Sequence, residues 1–112
     1  MHTKVIAQRI DRIDFSLGLS IYFFSHVVEG ATESIAWVGK GIVYDTGGLS
    51  IKGKLNMPGM KRDCAGAAAV LGAFETMVKS GFKQNLYCVL CVAENAVGPD
   101  ALRPDDIITL HR

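Results

Sequence analysis

The sequence predicts an α/β fold built around one βαβ unit, and three observations predict it. Two apolar runs rich in β-branched and aromatic residues, "SIAWVGKGIVYD" and "NLYCVLCVAEN", have the length and composition of strands. Between them the larger apolar residues Val70, Leu71, Phe74, Met77 and Val78 recur at the spacing of one helical stripe. The second run is apolar on both faces, which is the pattern of a central, parallel strand covered on both sides. Strand, loop, helix and strand in this order call for a right-handed crossover. At 112 residues the chain is about one small domain, with room for a modest core.

Each element has its own justification. The stretch Phe15 to Val28, "FSLGLSIYFFSHVV", is the most apolar part of the N-terminal third. Lys4, Arg9 and Arg12 precede it, as in a secretory signal, but Asp11 and Asp14 spoil the charged region and no good cleavage site follows. The stretch is too short to span a membrane, so a buried strand or short helix is expected. "SIAWVGKGIVYDTGG" reads as one or two strands, interrupted by Gly39 and Gly41 and stopped by Gly47 and Gly48. Gly53 to Gly59, with Pro58, reads as a loop. Asp63 stands where a helix N-cap would stand, Lys79 suits the last turn, and Gly81 suits the position just past the end. Ala65, Ala67, Ala68 and Ala69 keep the first turns slim, so that neighbouring backbone can come close. Asn85 to Ala93 is the second strand, "VGPDALRPDD" a loop, and "IITLHR" the start of a further strand.

Composition narrows the function classes. An apolar share of 49% with 21% charged residues is that of a globular chain. A formal net charge of +1 without a basic patch argues against a nucleic-acid partner, and nothing argues for a membrane. The 3 cysteines, Cys64, Cys88 and Cys91, form no even disulfide framework, which suits a reducing compartment. Cys88 and Cys91 spell C-x-x-C, but residues three apart on a strand face opposite ways, so buried thiols are expected there and not a chelating pair.

The polar residues around "IVYDTGGLSIKGK" carry the chemistry, and three readings compete. Tyr44-Asp45-Thr46-Gly47 has the local form of an aspartic protease site. That fold is nearly all β, whereas here an alanine-rich helix follows. A phosphate loop is a second reading, but neither G-x-G-x-x-G nor G-x-x-x-x-G-K-[ST] is present. The third takes Lys40, Asp45, Lys52 and Asp63 together. Two carboxylates can share divalent ions, a lysine can stabilise an oxyanion, and a lysine kept neutral can itself bind a metal. Lys40 and Asp45 are an odd number of positions apart, so a regular strand would separate them. Their convergence needs a bulge or bend, which Gly39 and Gly41 would permit. The plain alternative is that Lys40, Lys52 and Lys54 are solvated loop lysines and Asp63 is only a helix cap.

A resemblance bears on this choice. "WVGKGIVYDTGGLSIKGK" followed by "MPGMKRDCAGAAAVLGA" resembles the leucyl aminopeptidase (cytosol aminopeptidase) family, in particular its aminopeptidase-like branch. That family writes V-G-K-G-[IL]-x-[FY]-D-[ST]-G-G-[IL]-[SN]-[IL]-K and then M-x-x-M-[KR]-x-D-[MC]-x-G-A-A. "AENAVGPDALRPDDII" continues the likeness, which runs from Ile35 to Ile108. The resemblance implies a three-layer α/β catalytic domain with a central mixed sheet, of which this chain is a βαβ-containing fragment. It implies a cytoplasmic metallo-aminopeptidase that removes N-terminal residues from peptides with two divalent metal ions, manganese or zinc, in a homo-hexamer. By the same resemblance Lys40, Asp45 and Asp63 are metal ligands, Lys52 polarises the scissile carbonyl, and Met60 lies in a side-chain pocket.

The sequence also departs from the family. Residues 1–30 do not resemble the usual N-terminal domain, and residues 31–112 are expected to be a truncated catalytic domain. The block N-T-D-A-E-G-R-L, which supplies further metal-binding carboxylates and an arginine, is absent. The expectation is therefore a metal site with part of its ligands and no activity of the chain alone. The alternative is a non-catalytic piece that docks with full-length subunits.

Overall fold

The computed structural model describes residues 3–10 and 19–111. The elements run β1 (Thr3–Ile10), β2 (Ser20–Val28), β3 (Ser34–Asp45), α1 (Ala65–Lys79) and β4 (Asn85–Asn95). They form one four-stranded sheet in the order β1-β2-β4-β3. β3 and β4 are parallel neighbours joined through α1, and β2 runs antiparallel to both β4 and β1. The fold is thus α/β with a mixed sheet, as the sequence predicts. Of the apolar stretch Phe15 to Val28, residues 15–18 lie outside the described residues, as do Asp11 and Asp14; Ser20 to Val28 form β2. No helix among the described residues is long and apolar enough to cross a membrane.

One face of the sheet carries the core. Leu86, Cys88 and Leu90 alternate along β4 and pack with Ala67 and Phe74 of α1, with Tyr22, Phe24 and Trp37 at the margin. Phe74 is the centre of the predicted helical stripe, whereas Leu71 lies at its edge and is exposed. His26 is buried on the same face, and its Nε2 donates to the Phe82 carbonyl 3.0 Å away, tying β2 to the turn after α1. Tyr87 and Val89 of β4 point to the other face, where Phe23 stacks on Tyr87 and Val38 is 66% exposed. The expectation that β4 is covered on both sides is therefore corrected: among the described residues only α1 covers it. An apolar strand face shows that cover is needed, not which segment provides it.

The ends of α1 divide the sequence expectations. The C-terminus is as read. Lys79 is in the last turn, Gly81 follows at φ +76, the Gly81 N–H donates to Val78 O and the Phe82 N–H to Met77 O, which is a Schellman closure. The N-terminus is not. The N-cap is Cys64, without a side-chain capping bond, and Asp63 sits one residue earlier. The segment "IITLHR" forms no strand through His111, and Ile107, Ile108 and Leu110 are exposed. Cys88 is buried, Cys91 half-buried and Cys64 exposed, and all are free thiols.

Two details bring the polar residues together. The ladder between β3 and β4 slips between Ile42 and Tyr44, so Val43 is an extra residue in a bulge. After it the alternation is reversed. Lys40 pairs in register with Cys91 and Asp45 with Asn95, both on the face of β4 away from α1, while Tyr44 turns inward and is buried. The bulge that odd spacing demanded exists, but it lies at Val43 and not at the glycines. Gly39 serves packing instead. A Cβ there would lie 2.6 Å from the Ala67 Cα, so the strand and the slim first turns of α1 meet backbone to backbone.

Candidate functional site

The polar residues collect at the carboxyl ends of the parallel strands β3 and β4, where open α/β sheets bind ligands. Asp45 ends β3 and leads into a tight turn. Gly47 has φ +90, and a Cβ there would lie 2.2 Å from Ser50 O, so only glycine fits. The Lys52 N–H donates to Thr46 O at 2.9 Å, which folds the chain back on itself. The Lys52 ammonium then meets Asp45 Oδ2 at 2.7 Å. Asp45 Oδ1 accepts from the Gly47 N–H at 3.0 Å and from Asn95 Nδ2 at 2.7 Å. The Lys52 ammonium above all, then the Gly47 N–H, outweigh partial burial, and with the Asn95 amide they lower the Asp45 pKa from 3.8 to about 2.

Lys40 and Asp63 form the second pair. The segment from Met60 to Asp63 runs along the outer edge of β3, with the Ile42 N–H on Asp63 O at 3.0 Å and the Asp45 N–H on Met60 O at 3.1 Å. These bonds hold Asp63 beside Lys40, whose ammonium donates to Asp63 Oδ2. The Asp63 carboxylate is engaged by a cation and not by the helix N–H groups, since a charge-assisted bond outcompetes a cap. Asp63 raises the Lys40 pKa, by its hydrogen bond first and its charge second, and Asp45 adds to the effect. All four residues named from the sequence are therefore brought together as two lysine–aspartate pairs. Met60 adjoins them, in a cavity of about 340 Å³ lined by Gly59, Met60, Arg62 and Asp63.

The donor set suits divalent cations in part. Asp45 is ionised and held by three donors, Asp63 is exposed beside Lys40, and Lys40 offers an amine once its proton is displaced. Among the described residues no group of three or more His, Cys, Asp or Glu side chains is placed to hold a metal ion, so these carboxylates supply only part of a coordination shell.

Three further residues build the site and were not singled out from sequence. Tyr44 is 6% exposed, and its hydroxyl lies 3.0 Å from Pro104 O and 3.3 Å from Met57 O, joining the two loops that flank Asp45. Asp105 has φ +72, and its carboxylate accepts from the Gly59 N–H at 3.2 Å and faces Lys61 at 3.8 Å, which fastens the Met60 loop. Asn95 holds Asp45. The signal for each is a contact between distant segments, which no local spacing carries.

The site thus defines an α/β domain with a paired cationic and anionic centre at its strand ends. Residues 21–112 match the cytosol aminopeptidase family, catalytic domain, and the chain belongs to that family. The match begins inside β2, ahead of the likeness read from Ile35 onward. Probable aminopeptidase NPEPL1 of Mus musculus is 70% identical over 92 residues, covering 82% of this chain and 18% of that protein. The structure of leucine aminopeptidase from Caenorhabditis elegans superposes with a TM-score of 0.70 at 42% identity, covering 93% of this chain and 24% of the other. That of the bottromycin maturation enzyme BotP in complex with Mn gives a TM-score of 0.61 at 31% identity, covering 70% of this chain and 17% of the other. The chain therefore spans about a fifth of the length of such relatives.

Proposed function

We propose that this chain carries part of the two-metal site of a metal-dependent aminopeptidase that hydrolyses N-terminal residues from peptides. The observation that supports it most is the convergence of Lys40, Asp45, Lys52 and Asp63 at one strand end in a chain of this family. Asp45, Asp63 and the Lys40 amine would hold the ions. Two divalent cations, manganese or zinc, would supply Lewis acidity at the scissile carbonyl, and the manganese complex of the similar BotP favours manganese as the first probe. The Lys52 ammonium would present positive charge to the carbonyl oxygen as it becomes an oxyanion. Asp45 holds the Lys52 ammonium in place, and Met60 contributes to the wall that receives the substrate side chain. The reading extends to a cytoplasmic enzyme assembled as a homo-hexamer.

We further propose that these 112 residues do not turn over substrate by themselves, because the two carboxylates at the site, Asp45 and Asp63, are too few among the described residues for a two-metal shell. An aminoacyl-coumarin release assay with manganese tests both parts. The expected result is no release by this chain alone, and release in a longer chain that Asp45→Ala abolishes. Turnover by the 112-residue chain, lost in Asp45→Ala, would overturn the inactivity claim. Tight binding of two manganese ions to it would overturn the partial-site claim. A second reading, docking with full-length subunits, is favoured by the open sheet face at Val38, and co-expression with a full-length chain followed by sizing tests it.

A further inference from the structure

Asn95 is the last residue of β4 and stands in register with Asp45. Its Nδ2 donates to Asp45 Oδ1 at 2.7 Å. A carboxylate only accepts, so the amide nitrogen faces Asp45 and the amide oxygen faces away. That oxygen rests on Gly48, where a Cβ would come within 2.6 Å of it. The main chain of the same residue grips the next position. Asn95 O accepts from the Thr46 N–H at 2.8 Å and from the Thr46 hydroxyl at 2.7 Å. One residue thus holds Asp45 and Thr46 through side chain and backbone together. Lys52 takes the other carboxylate oxygen, so turning the carboxylate out of place breaks bonds on both of its oxygens.

We propose that Asn95 is a positioning residue that fixes the orientation of the Asp45 carboxylate for cation binding. The inference rests on the metal reading given under Proposed function. The residue type fits the task. An amide is a neutral donor, so it holds the carboxylate without cancelling the charge that a cation needs. A second lysine there would compete with the cation.

The test uses the 112-residue chain and two readouts. The first needs no metal: three-bond couplings and side-chain carbon shifts of Asp45 by NMR. The expected result is a single Asp45 rotamer in the wild type and in Thr46→Val, which removes the hydroxyl's bonds to Asn95 O and from the Gly48 N–H but keeps the Asn95 amide on Asp45, and rotamer averaging in Asn95→Leu. A single rotamer retained in Asn95→Leu overturns the inference. If circular dichroism shows Asn95→Leu unfolded, the wild type decides. Its Asn95 amide protons should exchange slowly, and exchange at the rate of a free amide overturns the inference. The second readout is manganese binding followed by electron paramagnetic resonance. Asn95→Leu should weaken it about tenfold, and unchanged affinity overturns the positioning role. A wild type that binds no manganese overturns the metal reading, whereas the rotamer result still decides whether Asn95 orients Asp45.

Discussion

Two lysine–aspartate pairs sit at the same strand end and differ in how they are held. Lys52 and Asp45 are each 26% exposed, and three donors fix the carboxylate. Lys40 and Asp63 are 63% and 54% exposed, and their side chains hold each other between β3 and the segment that leads into α1. The first pair is set by local turn geometry, the second by the backbone bonds that run the segment from Met60 to Asp63 along β3, just ahead of α1. A metal site assembled from both therefore combines an ordered anion with an adjustable one. On the metal reading proposed above, Lys40 would give up its proton to serve as a ligand, while Lys52 would present its ammonium to the substrate carbonyl.

The sharpest way to break the comparison is to unseat the helix. Gly39→Val places side-chain atoms where the Ala67 backbone already stands, 2.6 Å from the position of a Cβ. Overpacking of this kind should cost about 3 kcal/mol, read as a lower midpoint in urea denaturation. It should separate Asp63 from Lys40 and leave Asp45 with Lys52, because the turn at Gly47 does not involve α1. A midpoint unchanged from wild type would show that the backbone contact does not seat the helix.

The next largest effect is expected at the ordered pair. Lys52→Met leaves a half-buried carboxylate without its cation, and the cost should be about 1 kcal/mol, since a charged hydrogen bond is lost while water still reaches Asp45. Urea denaturation of the metal-free chain measures it. An unchanged midpoint would mean that the Gly47 and Asn95 donors hold Asp45 without help.

How far these features were legible in the sequence follows from the range of the interactions. The helical stripe around Phe74 and the closure at Gly81 are local patterns, and both appear as read. The odd spacing of Lys40 and Asp45 showed that a bulge was required. Its position at Val43 was not readable, because a bulge is a property of two strands in register. Gly39 and Gly41 suggested a bend and instead make room for α1, since a missing side chain permits close approach as well as curvature. The cap reading of Asp63 fails because Lys40 lies beside it, a contact that no local spacing carries. Asn95 and Tyr44 act on segments far along the chain, so their roles emerge only from the fold.

A smaller and more specific effect concerns pH. The folded Asp45 pKa is about 2 against an ordinary 3.8, with the Lys52 ammonium as the main cause. A lowered folded pKa means that the contribution to stability is fully present above about pH 4 and is lost as the pH falls toward 2. In the metal-free chain the Asp45 carboxyl carbon should therefore titrate near 2 by NMR, and in Lys52→Met its midpoint should rise toward 3.8. A wild-type midpoint at 3.8 would remove the claim that this carboxylate is set before any cation arrives.

The smallest effect is expected from Lys40→Met, and it separates stability from function. Both partners of this pair are more than half exposed, so water screens the charges and replaces the lost hydrogen bond. The urea midpoint should stay at the wild-type value. On the proposed metal reading, manganese binding should fall, because the Lys40 amine is one of the three proposed donors. A midpoint clearly below wild type would instead mark Lys40 and Asp63 as a structural strut, and the contrast between the two pairs would then lie in geometry alone.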